Sequence, residues 1–162
     1  MTKWTSFALT ALLVLAGVAS ISARQQGAPV LTVQEYQEIE QLYARYYHAI
    51  DGGNADAWAA TFTADGAFNQ LSGQQALKDF ITNGTAKGTP MRHWTSNLQL
   101  TPVQGGIEGK IYVIQFNIRQ TPITAATYSR YDDLIVKTSD GWRFKQRRRS
   151  SDTTIGAKPS QQ

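Results

Sequence analysis

The sequence has no cysteine, so it can form neither a disulfide nor a thiolate metal site, and its fold must hold by burial and hydrogen bonding alone. Histidine is almost as scarce, with two copies. A metal centre would have to collect carboxylates from scattered positions, and none is expected. No Gly-rich phosphate loop and no G-x-S-x-G turn occur, so nucleotide and serine-hydrolase chemistry lack their basic parts. No cofactor is implied. The formal net charge of +4 is too modest to imply nucleic acid as a partner. The apolar run from Phe7 to Ala19 is interrupted by Thr10 and Gly17 and falls short of the roughly 20 apolar residues that span a bilayer.

What that run does match is an export signal. Lys3 precedes it and the small residues Ala19, Ser20, Ser22 and Ala23 follow it, the order of a secretory signal peptide over residues 1–23. Cleavage near Ala23 would leave a periplasmic or secreted protein of net charge +3 with no stable membrane span. Residues 24–30 read as a linker, residues 31–150 as one domain and residues 151–162 as a polar, unordered tail.

Within the domain, Thr32 and Glu35 have capping-box spacing and start a helix whose apolar stripe is Tyr36, Ile39, Leu42, Tyr43, Tyr46, Ala49 and Ile50. Asp51, Gly52 and Gly53 end it. Asn54 caps a second helix through Trp58 to about Phe62, and a turn at Ala64 to Gly66 leads into a short strand at Ala67 and Phe68. Ser72 and Gln75 repeat the capping-box spacing before a third helix, Gln75 to Ile81. From Arg92 the period changes to two. Trp94, Leu98 and Leu100 are expected on one face and His93, Thr95, Asn97 and Gln99 on the other. Longer strands follow over about Ile107 to Gln120, Ala125 to Lys137 and Trp142 to Ser150, the last two joined by a hairpin at Ser139, Asp140 and Gly141. Helices followed by strands predict an α+β layer, with helices covering the concave face of a curved antiparallel sheet around one pocket.

Two residue types in this layout carry acid/base chemistry. His93 shares a strand face with Thr95 and Asn97, so it is either a solvated strand histidine or part of a polar pocket wall. Asp51 is the group that would orient it, or else a helix-end residue before Gly-Gly. Arg143, Lys145, Arg147, Arg148 and Arg149 fall largely on one strand face and read as solvated charges that discourage aggregation, or as a rim that holds an anion.

The run Arg45-Tyr46-Tyr47-His48-Ala49-Ile50-Asp51-Gly52-Gly53-Asn54-Ala55-Asp56-Ala57-Trp58, then Phe62-Thr63-Ala64-Asp65-Gly66, then Arg92-His93-Trp94-Thr95-Ser96-Asn97, and last the Asp140-Gly141-Trp142-Arg143-Phe144 hairpin, resembles the SnoaL-like branch of the nuclear transport factor 2-like superfamily. The resemblance implies a cone-shaped α+β barrel in which three N-terminal helices pack on a strongly curved, mostly antiparallel sheet. Back-to-back homodimers are common in that superfamily. Its functions range from cyclases and dehydratases to non-catalytic binding modules. The chain is most similar to the scytalone dehydratase, bile-acid dehydratase and dehydrochlorinase group, whose members pair an aspartate at the first helix end with a strand histidine. Asp51 and His93 match those positions. The resemblance further implies Tyr46 as a hydrogen-bond donor in the site, and it puts Asn117 near the second site histidine of scytalone dehydratase. Trp58, Phe68, Trp94, Tyr112 and Tyr128 are candidates for an aromatic wall around a small hydrophobic molecule. The expected function is a lyase or isomerase that removes a proton from a hydrophobic cyclic substrate, and the alternative is a ligand-binding or assembly module on the same fold.

Overall fold

A computed structural model of the protein describes residues 30–83 and 90–154. All but Val30 belong to one compact unit, Leu31–Gln162. The expected signal peptide and the linker up to residue 29 lie outside the described residues; of the tail expected over 151–162, residues 151–154 instead continue the last strand, and the rest lies outside the described residues.

Helix α1 (Val33–Asp51) begins as its sequence dictates: the Thr32 side chain accepts from the Glu35 backbone while the Glu35 carboxylate accepts from the Thr32 backbone. It ends where Gly53 adopts a φ of 67°, open to glycine without steric cost. Helix α2 (Ala55–Ala59) is capped by the Asn54 side chain, which accepts from the Ala57 backbone. Strand β1 (Phe62–Phe68) and the two-residue β2 (Leu71–Ser72) follow, then α3 (Gln74–Asn83), β3 (Met91–Val103), β4 (Gly106–Asn117), β5 (Thr124–Thr138) and β6 (Gly141–Thr154). The capping box expected at Ser72 does not form, because the helix begins at Gln74 and the capping position falls to Gly73, whose carbonyl accepts from the Leu77 backbone at 3.1 Å. The third helix is tied down instead by Gln74, whose amide donates to the carbonyls of Ala59 and Thr63.

The six strands make one mixed sheet in the order β2-β1-β6-β5-β4-β3. The β3–β4–β5–β6 meander is antiparallel, and β1 joins it in parallel beside β6. The sheet is open rather than a closed barrel, with two-residue β2 at one edge and β3 at the other. The helices pack on one face of it, so the class is α+β. Among the described residues no helix is long and apolar enough to cross a membrane.

Two extra residues decide which side chains face the helices. Asn97 has a φ of 58°, and the β3/β4 register shifts between Ser96 and Gln99. Asparagine tolerates this left-handed backbone better than most residues, and the bulge reverses the alternation. His93 therefore shares the helix-facing side with Leu98 and Leu100, which pack against the core, whereas Trp94 is 70 % exposed on the opposite side. In β6 the register with β5 shifts between Phe144 and Gln146. Phe144, Arg147 and Arg149 consequently all turn inward. The expectation of a solvated basic face fails here, since Arg147 is 0 % exposed.

The core is aromatic. Tyr46 packs edge-on against Tyr47, Phe62 and Phe144, and Trp58 packs against Phe62, Phe68 and Phe80. Such contacts contribute about 0.5–1.5 kcal/mol each beyond burial. They fix α1 on the sheet and so fix the end of α1 beside the start of β3.

Candidate active site

Asp51 is the last residue of α1, and its carboxylate reaches across to β3. Oδ1 lies 2.5 Å from Nδ1 of His93, and Oδ2 accepts the His93 backbone N–H at 3.2 Å. Arg92 completes the clamp by donating from Nη1 to the Asp51 carbonyl at 3.2 Å. One residue pair thus ties a helix end to a strand. The His93 side chain is 4 % exposed and that of Asp51 14 %, so water does little to weaken the contact.

The other ring nitrogen of His93 is occupied as well. His93 pairs with Gln115 across the β3/β4 ladder, and Nε2 of the ring lies 2.8 Å from Nε2 of the Gln115 amide. The orientation of that amide follows from its oxygen, which accepts from the Thr127 hydroxyl and, at 3.3 Å, from Nη2 of Arg149. The NH₂ end therefore faces the imidazole, whose Nε2 must accept, and the ring proton sits on Nδ1 and points to Asp51. Arg149 also donates from Nε to Ser129 at 3.0 Å. Its backbone N–H donates to the Asn69 side chain at 2.8 Å, which anchors this part of β6 to the end of β1.

Between α1 and β3 runs a groove of about 460 Å³. Tyr36, Tyr43, Tyr47 and Asp51 line it from the helix, and His93, Thr95, Asn97 and Leu98 from the strand. The Tyr47 ring stands 5.4 Å from the imidazole, tilted by 38°. Beneath the groove lies a buried polar cluster. The Tyr43 hydroxyl donates to Asp133 at 2.7 Å, and Arg147 donates from Nη2 to the Tyr47 hydroxyl at 3.0 Å. Nε of Arg147 is 3.2 Å from Asp133, near enough for an ion pair but without a directed hydrogen bond. The guanidinium is enclosed by the rings of Tyr43, Tyr46, Tyr47, Tyr131 and Phe144, the nearest centroid 4.1 Å away. Burial pushes the Asp133 carboxyl up to about 6, with Arg147 and the Tyr43 hydroxyl working against the rise. Burial likewise raises the hydroxyls of Tyr43, Tyr46 and Tyr47 above the ordinary tyrosine value.

The residues singled out from the sequence separate into four places. Asp51 and His93 come together. Tyr46, Trp58 and Phe68 are core side chains, and the Tyr46 hydroxyl has no hydrogen-bond partner among the described residues. Trp94, Tyr112 and Tyr128 lie on the sheet face away from the helices, where Tyr112 and Tyr128 pack against each other at 5.9 Å. Asn117, at the end of β4, accepts from the Arg119 backbone at 3.0 Å rather than facing His93. Gln115 takes the place opposite the imidazole. Its signal in the sequence is one of two amides, Gln115 and Asn117, on the β4 face that also carries Ile111 and Val113. Arg149 gave no such signal, because the β6 bulge alone turns it inward. Among the described residues no three His, Cys, Asp or Glu side chains gather in a way that could hold a metal.

Among curated proteins none matches the chain. Among solved structures, a protein of unknown function from Mycobacterium tuberculosis is 26 % identical, with a TM-score of 0.68 over 75 % of this chain and 73 % of that one. A nuclear transport factor 2-like protein with a cystatin-like fold from Novosphingobium aromaticivorans is 18 % identical, with a TM-score of 0.69 over 97 % and 94 % of the two chains. A protein of the same organism, provisionally assigned as a scytalone dehydratase, is 20 % identical with a TM-score of 0.65 over 78 % and 89 %. The model of the SnoaL-like domain family matches residues 32–148, nearly the whole of the described unit, and the chain belongs to that family.

Proposed function

We propose that the protein is a lyase or isomerase acting on a small hydrophobic, cyclic carbonyl compound, with His93 as general base and Asp51 as its partner. The observation that supports this best is the 2.5 Å contact between Nδ1 of His93 and a carboxylate that is itself largely sheltered from water. The negative end of the α1 dipole and the Asp51 charge both favour the imidazolium that forms when Nε2 takes a proton. In the proposed reaction the C–H bond beside the carbonyl breaks and its electron pair moves into an enolate. Collapse of the enolate expels a β-hydroxyl, and the proton carried by Nε2 leaves with it as water. Return of the proton to a different carbon gives isomerisation instead. Positioned proton transfer of this kind contributes about 10²- to 10⁴-fold in rate.

A second reading, a ligand-binding module without turnover, is favoured by one observation: the Nε2 lone pair is engaged by Gln115. Export and dimerisation belong to the proposal as well. The apolar run before the small residues at 19–23 supports export. The exposed Trp94 and Tyr112 side chains, on the sheet face away from the helices, support a sheet-to-sheet homodimer.

The test is a panel of cyclic β-hydroxy ketones incubated with wild type, His93→Ala and Asp51→Asn, followed by the absorbance of the conjugated product. Turnover by wild type and loss in His93→Ala is the expected result. Binding without turnover by wild type would replace the enzyme with the binding module.

A further inference from the structure

We infer that Gln115 is a cap on the base: its amide holds the Nε2 lone pair of His93, and an oxygen on the substrate draws the amide away as the C–H approaches. The inference rests on the reading of His93 as general base and adds to it the residue that controls when the base is available.

The geometry that carries it is a chain of four side chains with one consistent set of donors and acceptors. Arg149 can only donate, so the Gln115 atom it touches at 3.3 Å must be the amide oxygen. The Thr127 hydroxyl donates to the same oxygen. This leaves the NH₂ end facing the imidazole at 2.8 Å. Asp51 can only accept from Nδ1–H when it is ionised, so the ring is held from both sides in one tautomer. A base whose lone pair is already satisfied does not abstract protons. For Nε2 to act, the amide must find another acceptor within reach, or a buried N–H is left unpaired.

That requirement selects a substrate class. The acidic C–H has to approach Nε2 while an oxygen acceptor approaches the amide nitrogen 2.8 Å away, which is met when the oxygen belongs to a carbonyl on the neighbouring carbon. The oxygen gains charge as the C–H bond breaks, so the N–H it receives from Gln115 strengthens along the reaction. Arg149 is then a positioning residue: it touches neither the ring nor the substrate oxygen and acts by fixing which end of the amide faces His93.

Nitrogen-15 NMR of the full chain tests the cap without any turnover. The chain has two histidines, His48 and His93, and a His48→Gln variant assigns the spectrum. The expected wild-type ring has its proton on Nδ1 and a hydrogen-bonded, unprotonated Nε2. In Gln115→Met, which keeps side-chain length without a donor, the Nε2 resonance moves toward that of a free lone pair. In Gln115→Glu the donor becomes an acceptor, and the ring carries protons on both nitrogens at neutral pH. A wild-type ring with its proton on Nε2, or a Gln115→Met spectrum identical to wild type, overturns the cap. If Gln115→Met fails to fold, the Glu variant and the wild-type spectrum still decide. Titration with a cyclic enone is expected to shift the Gln115 amide protons and the matching cycloalkene to leave them in place. Equal responses, or none to either, overturn the substrate class. A ring in the expected state with no turnover of any substrate defeats the catalytic reading, and the cap with it, and leaves Gln115 as the hydrogen-bond partner that fixes the His93 tautomer.

Discussion

The hydroxyl of Tyr43 on the first helix donates to the carboxylate of Asp133 on β5 at 2.7 Å, across 90 positions of sequence. It can do so because the strand between them carries no side chain at one position. A Cβ added to Gly109 would stand 2.2 Å from the Tyr43 hydroxyl oxygen, far inside van der Waals contact. The glycine is a slot for a tyrosine, and through it the helix that carries Asp51 is registered against the sheet that carries His93.

Gly109→Ala is therefore expected to push Tyr43 off Asp133 and to destabilise the fold by about 1–3 kcal/mol, the usual cost of overpacking. Urea unfolding followed by tryptophan fluorescence measures it. A midpoint unchanged from wild type would mean that the ring shifts freely and that the slot has no structural role.

Asp133 makes stability depend on pH in a definite direction. Its carboxyl is raised by burial to about 6 from an ordinary 3.8, so the folded protein binds that proton more tightly than the unfolded chain. The stability this group contributes is present in full below about pH 4 and is lost as the pH rises through about 6. Comparing wild type with Asp133→Asn by unfolding at pH 4, 5, 6 and 7 isolates the effect, because the asparagine does not titrate. The difference between the two proteins should change across this window and level off above it. A constant difference would contradict the assignment.

The exposed aromatic face of the sheet predicts association. Trp94, at 70 % exposure, and Tyr112, at 40 %, share it with Ile114, Phe116 and Tyr128. A charged residue in such a patch opposes burial. Sedimentation of the wild type is expected to show a dimer, and Trp94→Glu a monomer with a retained fold by circular dichroism. A monomeric wild type, or a dimeric variant, would remove this face from the account.

Much of the backbone was legible because its signals are local. The Thr32–Glu35 box, the Asn54 cap, the Gly52-Gly53 stop and the Asp140-Gly141 hairpin each act within four residues, and each is where the sequence places it. The residue types make Asp51 a candidate partner for His93, and the family resemblance favours that pairing over a helix-end role, since no local rule links residues 42 positions apart. What escaped were the two bulges. Alternation predicts strand faces only while every residue is paired, and one extra residue at Asn97 or near Lys145 inverts everything beyond it. Strict alternation accordingly puts Trp94 with Leu98 and Leu100, and Arg147 and Arg149 in solvent. The Asn97 bulge keeps His93 on the core side with the leucines, and the β6 bulge supplies Arg147 beneath the groove and Arg149 beside Gln115.

The most direct measurement is deuterium uptake from heavy water into the α-carbon of a cyclic ketone, followed by proton NMR with wild type, His93→Ala and Asp51→Asn side by side. It reads proton abstraction alone, without requiring the correct leaving group. The account predicts exchange catalysed by wild type, abolished in His93→Ala and reduced about 10²-fold or more in Asp51→Asn. Exchange that persists undiminished in His93→Ala would contradict the assignment of this imidazole as the base.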